Sequence, residues 1–216
     1  MTGVRAVLFD CDGVVVDSEP ATFALIAEDL AARGLRLTHA EMEHHFLGGT
    51  IERVGEKARQ MGADIPPGWA EDFYTRLYAR LAQGTALMPG IPALLDALDA
   101  AGVAYAIGSN GTGAKMQVTL GQHPGVMARL AGRLFSGRDL AMLKPDPDLY
   151  LYAARALRVP PQACVVIEDS APGARAAAAA GMRCLGYAPQ GDGAALLAEC
   201  AQVFRSMAEV PGLLGL

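Results

Sequence analysis

The stretch Arg5-Ala6-Val7-Leu8-Phe9-Asp10-Cys11-Asp12-Gly13 is a compact apolar run that ends on two carboxylates and a glycine. A short apolar run closed by a turn signal predicts a buried strand over 5–9. The next segment of the chain is helical in pattern. Ser18 is placed to cap a helix that carries Phe23, Leu25, Ile26 and Leu30 and stops at Gly34. Thr38 and Glu41 have capping-box spacing for a second helix, closed by Gly48-Gly49. Further helices are predicted over 51–61 and from Pro67 or Trp69 to Leu81, so residues 18 to 86 hold no strand signal.

After Met88-Pro89-Gly90 the pattern alternates. Helices are predicted over 91–101, 113–121, 148–157 and 171–180. Strands are predicted at Val103–Ile107, Leu134-Phe135, Cys164–Ile167, Cys184–Tyr187 and Val203-Phe204. Alternation of this kind implies an α/β fold with a doubly wound, mainly parallel sheet. The expected division is residues 1–16 and 88–216 for an α/β core, with 17–87 as an inserted all-helical domain. The alanine run 176–180 suits a helix lying close on a sheet.

Composition narrows the function classes. At 52% hydrophobic and 19% charged, the 216 residues carry enough apolar surface to fold. A net charge of −5 gives no basic footprint for nucleic acid or an anionic membrane. The apolar runs are too short for a membrane span and the N-terminus has no signal-peptide pattern, so a cytoplasmic protein is expected. Cys11, Cys164, Cys184 and Cys200 lack a C-x-x-C spacing, consistent with reduced thiols. Lysine is scarce, with only Lys57, Lys115 and Lys144, which gives weight to any lysine inside a motif.

In open α/β sheets ligands collect beyond the carboxyl ends of the strands. Three predicted strand ends carry polar groups here: Asp10/Asp12, Ser109/Asn110 and Glu168/Asp169. One such end could be a plain turn, since Asp and Ser favour turns. Three together, with Lys144 in a Lys-Pro-Asp-Pro turn, point to chemistry. Asp10 is placed to attack phosphorus and form an aspartyl-phosphate. Asp12 can protonate the leaving group and later activate water. Four gathered carboxylates need a hard cation, and Mg²⁺ suits an all-oxygen site. Ser109 and Asn110 offer donors for phosphate oxygens, and Lys144 adds a point charge.

These motifs resemble the haloacid dehalogenase-like hydrolases, in the phosphatase branch with a helical cap. The matching pieces are Phe-Asp-Cys-Asp-Gly-Val at 9–14, Asp17-Ser18-Glu19, Gly108-Ser109-Asn110-Gly111, Phe135-Ser136-Gly137, Lys144-Pro145-Asp146-Pro147 and Ile167-Glu168-Asp169-Ser170. The resemblance implies that Asp10 is nucleophile and metal ligand, and that Asp12 is acid/base and binds metal through its carbonyl. It further implies that Ser109, Asn110 and Lys144 hold the phosphoryl group. Asp169 would hold Mg²⁺, with Glu168 assisting directly or through water. Dehalogenases of this family lack the second aspartate, so Asp12 argues for phosphate chemistry. The cap over 17–87, with hinges near 14–18 and 85–89, would close on a small phosphorylated substrate.

Other conspicuous residues have plainer readings. His39, His44, His45 and His123 show no ligand spacing, and Cys11 fills space between the two acids. Arg53, Lys57, Arg76 and Arg80 fit a solvated helix face, with Arg76 the candidate for a substrate contact. The Gly48-Gly49-Thr50 turn either faces the active site or only joins two helices. The favoured activity is a sugar-phosphate or sugar-acid-phosphate phosphatase, of which a 6-phosphogluconate phosphatase is the nearest resemblance. A phosphomutase of the beta-phosphoglucomutase type is the alternative, weakened because Ile51 rather than an arginine comes after Thr50. A non-catalytic phospho-acceptor module would not need the long helical insertion. A monomer is expected.

Overall fold

The computed structural model describes residues 3–46 and 50–216. The chain divides into two compact units, Met1–Asp17 with Ala86–Leu216, and Ser18–Thr85. The Gly48-Gly49 turn expected from sequence lies outside the described residues.

In chain order the first unit opens with β1 (Ala6–Phe9) and the two-residue β2 (Val16–Asp17). Among the described residues of the second unit the regular elements are all helices: α1 (Glu19–Ala32), α2 (His39–Phe46), α3 (Ile51–Gln60) and α4 (Trp69–Leu81). The chain returns through β3 (Ala86–Leu87), α5 (Ile91–Ala100) and β4 (Ala104–Ser109). Then come α6 (Gly113–Leu120), α7 (Pro124–Arg129), β5 (Leu134–Ser136) and α8 (Gly137–Leu140). The remainder is α9 (Asp148–Ala156), β6 (Cys164–Glu168), α10 (Ala171–Ala179), β7 (Arg183–Tyr187), α11 (Ala194–Leu197), β8 (Gln202–Phe204) and α12 (Val210–Leu214).

The sheet order is β5-β4-β1-β6-β7-β8, and every pairing in it is parallel. β1 therefore lies between β4 and β6, with Phe9 in register with both Ile107 and Ile167. The chain builds outward from β1 to one side and later to the other, so the polar ends of β1, β4 and β6 meet at the switch point. Alternation along β1 sends Val7 and Phe9 into a core with Ile91, Leu94 and Val210. Ala6 and Leu8 face the other layer, with Tyr150, Ala174, Ala176 and Ala177. Leu8 and Phe9 are at most 1% exposed, and burial of each contributes ~2 kcal/mol. The small α10 side chains bring that helix close to the sheet.

In the helical unit the expected caps form, with one exception. Thr38 and Glu41 make the reciprocal bonds of a capping box. Gly34 sits at φ 86° and Leu35 N–H closes on Leu30 O, a glycine-ended helix. The Ser18 side chain makes no cap bond; its carbonyl instead accepts from the Thr22 hydroxyl. The unit's interior gathers Leu25, Ile26, Leu30, Val54, Trp69, Phe73 and Leu77. Gly55 is required in α3, because a Cβ there would fall 2.7 Å from the Trp69 ring.

One strand pairing was not expected. β2 and β3 form an antiparallel ladder, Val16 with Leu87 and Asp17 with Ala86. Two residues per strand are too few to show alternation, so the sequence reads there as linker. The short helices α7, α8, α11 and α12 were missed for the same reason.

Candidate active site

β1 delivers Asp10 at its carboxyl end, where Asp10 N–H continues the ladder to Ile167 O at 2.9 Å. The chain then folds into a tight loop, with Val15 and Val16 N–H both donating to Cys11 O. Gly13, at φ 77°, is obligatory in this loop, since a Cβ would lie 2.0 Å from the Asp169 carboxylate. The loop after β1 is thus shaped around Asp169 at the end of β6.

Lys144 sits at the centre of the site, with its side chain only 3% exposed. Its Nζ donates to Asp10 Oδ1 at 2.5 Å and to Glu168 Oε1 at 2.6 Å, and lies 4.9 Å from the Tyr150 ring centre. Glu168 is fully buried. Its Oε1 also accepts from Tyr150 O–H at 2.7 Å, and its Oε2 accepts from Ser170 N–H and Oγ–H at 3.2 and 2.8 Å. Four donors on one carboxylate match its full accepting capacity. In this structure Glu168 therefore acts on Lys144. Gly173 makes room for it: a Cβ would lie 1.8 Å from Glu168 Oε1.

The second motif divides its work. Ser109 is buried, and its Oγ accepts from Gly111 N–H at 3.0 Å. Asn110, the other residue expected to hold the phosphoryl group, directs its side chain to the Lys144 loop. Its amide is spent on the Lys144 backbone, Nδ2–H donating to the carbonyl at 3.1 Å and Oδ1 accepting from the N–H at 2.8 Å. Asn110 thus fixes the Lys144 loop, which carries a cis Lys144–Pro145 bond. Ser136 Oγ–H braces the same region by donating to Gly111 O at 2.7 Å.

Arg76, the candidate for a substrate contact, is engaged within its own unit. Its guanidinium pairs with Asp29 at 2.7 Å and its carbon lies 5.5 Å over the Phe73 ring. Asp29, 6% exposed, further accepts from Arg33 Nε at 2.8 Å and Trp69 Nε1 at 2.6 Å. Arg76 belongs to a structural ion cluster inside the helical unit. The sequence could not show this, because it did not reveal that Asp29 is buried.

Oxygens of Asp10, Glu168 and Asp169 lie within 4.8 Å of one another. Electrostatics show that this group lacks positive charge. Burial pushes the Asp10 carboxyl up, Lys144 pulls it back, and the like charges of Glu168 and Asp12 raise it again, to about 7 from 3.8. Lys144 is held above the usual lysine value, because its acidic neighbours outweigh burial. Burial, with Asp12 and Asp10 next, holds the Cys11 thiol well above its usual value and hence neutral, as a space-filler should be. The donor set is all oxygen, and the surplus is negative. It fits a hard divalent cation.

Sequence reasoning missed three contributors. Tyr150 and Ser170 hold Glu168, but nothing in the sequence says that α9 lies against the sheet. Lys115 pairs with Asp12 Oδ1 at 2.8 Å. Its signal was available: two of the chain's three lysines stand in this site.

The haloacid dehalogenase-like hydrolase family model matches residues 4–181. Among curated relatives, the chain is 29% identical over 215 residues to 6-phosphogluconate phosphatase of Escherichia coli K12, covering 99% of this chain and 96% of that one. Among solved structures, a HAD family hydrolase from Deinococcus radiodurans with bound phosphate and sodium superposes with a TM-score of 0.82. It is 34% identical and covers 100% of this chain and 96% of its own. A variant of CbbY from Rhodobacter sphaeroides, in complex with xylulose 1,5-bisphosphate, gives a TM-score of 0.78 at 28% identity, covering 95% and 96%. The chain belongs to the haloacid dehalogenase-like hydrolases, and it is an enzyme of their phosphatase type.

Proposed function

We propose that this chain is a Mg²⁺-dependent phosphatase of small phosphorylated sugars or sugar acids, working through an aspartyl-phosphate on Asp10. The observation that carries the reading is Asp10 itself: a strand-end carboxylate pinned by a buried lysine, two residues from a second aspartate and beside two further acids. Asp10 attacks phosphorus, and Asp12 protonates the departing ester oxygen and then takes a proton from the attacking water. Lys144 meets the charge on the transferring oxygens, with Ser109 Oγ and the backbone N–H groups after β4 beside it. Asp10, Asp169 and the Asp12 carbonyl would hold the cation, which supplies charge neutralisation for an anionic nucleophile meeting an anionic phosphate. Glu168 keeps Lys144 in place beside that ion.

The helical unit, residues 17–87 in this reading, serves as a cap that excludes water and selects the substrate. The 6-phosphogluconate of one relative's name and the xylulose 1,5-bisphosphate bound to the CbbY variant support a phosphorylated sugar skeleton for this chain. Among the described residues no helix is long and apolar enough to cross a membrane, and we place the enzyme in the cytoplasm as a monomer. A phosphate-release screen over sugar, polyol and acid phosphates tests the reading, with Asp10→Asn as the blank. The wild type should release phosphate from a member of this set and fall silent in EDTA. Asp10→Asn should lose on the order of a thousandfold or more. Activity near wild type in that variant removes the nucleophile assignment.

A further inference from the structure

Asp12 carries the proton in the proposed reaction, yet its side chain hangs from a loop and can turn about both Cα–Cβ and Cβ–Cγ, the second of which exchanges its two oxygens. Something must aim it. Lys115 Nζ lies 2.8 Å from Asp12 Oδ1, with the lysine side chain 16% exposed and the aspartate 27%. The lysine's backbone is itself fixed. Lys115 N–H donates to Thr112 Oγ at 3.1 Å in the first turn of α6, and Gly113 N–H donates to Asp139 Oδ2 at 2.9 Å. Ser136 ties Gly111 to the end of β5. The place where these parts meet is Gly111. A Cβ there would lie 3.2 Å from Ser109 Oγ, 3.6 Å from Asp12 Oδ2 and 3.6 Å from Lys115 Cδ. Lys115 thus holds Oδ1, while Oδ2 is the Asp12 oxygen on the Gly111 side of the carboxylate. The two lysines divide the acids between them: Lys144 takes Asp10 and Glu168, and Lys115 takes Asp12.

We propose that Lys115 is a positioning residue for Asp12, fixing one carboxylate oxygen so that the other meets the leaving-group oxygen. The proposal rests on the reading of Asp12 as acid/base. In the step it serves, an Asp10 oxygen forms a bond to phosphorus and the bond from phosphorus to the ester oxygen breaks. The electron pair goes to that oxygen, which takes the Asp12 proton; the alcohol departs and Asp12 is left as carboxylate. An alkoxide leaving group needs this proton, and a nitrophenolate does not. Loss of aim must therefore hurt alkyl esters selectively.

The test compares kcat/KM, which reports the steps up to phosphorylation of Asp10, for an alkyl sugar phosphate from the screen and for 4-nitrophenyl phosphate. Lys115→Met should lower it about 30-fold on the alkyl ester and less than about threefold on the aryl ester, a part of what a general acid contributes. Lys115→Arg should recover most of the alkyl activity. Equal losses on both esters, or none on either, overturn the proposal. If Lys115→Met does not fold, Lys115→Gln is read by the same ratio. Asp12→Asn separates the two levels. If it keeps alkyl turnover, the acid/base reading itself fails. If it collapses on the alkyl ester while Lys115→Met shows no selectivity, only the role of Lys115 fails.

Discussion

Two buried charge clusters organise this molecule, and they are built with opposite imbalances. Around Asp29 in the helical unit, one carboxylate receives two guanidinium groups and an indole N–H. Around Lys144, one ammonium faces Asp10 and Glu168, with Asp12 and Asp169 close by. Burial pushes the Asp29 carboxyl up, but its hydrogen bonds from Arg33, Trp69 and Arg76 outweigh that and hold it below the ordinary value. The Asp10 carboxyl ends above its ordinary value, at about 7. A cluster with surplus donors is complete and serves stability. A cluster with surplus acids suits the cation and phosphate of the proposed reaction.

The largest effect that tests this contrast is on turnover. Lys144→Met should lower kcat on the order of 10²–10³-fold, as loss of a charge-stabilising group does, while the variant stays folded by circular dichroism. Asp29→Ala should do the reverse. It leaves the buried Trp69 N–H without its acceptor and frees two partly exposed guanidinium groups, and should destabilise the protein by about 2 kcal/mol in urea unfolding, with kcat below its melting transition near wild type. A large kcat loss there with intact stability breaks the distinction.

The smaller effect is pH-dependent. Because the folded Asp10 value lies above the unfolded one, the native state holds a proton between about 4 and 7 that the unfolded chain has released. Stability from this group is therefore present at acid pH and lost as pH rises through about 7. In EDTA the melting temperature should be ~5–10 °C lower at pH 8 than at pH 5 through this group, and Asp10→Asn should lack that component. Mg²⁺ should recover more at pH 8, where its ligand is ionised. An identical Mg²⁺ response at both pH values would detach the metal from Asp10.

Much of this was legible in the sequence. The strands that carry Asp10, Ser109 and Glu168 announce themselves as apolar runs ending in polar residues. Their meeting at one point is a consequence of parallel topology. What the sequence withheld was engagement. Asn110 reads as a phosphate donor, and only the structure shows that its side-chain amide also braces the Lys144 loop. Arg76 looked like a free cation because its partner, Asp29, stands on a different helix, far off along the chain. Residue type announces capacity, whereas partner choice depends on which side chains burial brings together.

The two-residue ladder of β2 and β3 has a consequence for how this architecture can vary. It clamps Val16–Asp17 to Ala86–Leu87, so the α/β unit holds residues 18–85 at one doorway. Seen from the sheet, the helical unit is a single closed loop. The entropy of closing a loop grows only with the logarithm of its length, by ~0.6 kcal/mol for each doubling. Exchange of the inserted segment for a longer, shorter or differently folded one costs the sheet little. Evolution can thus replace the inserted helical unit without disturbing the sheet that carries the acids.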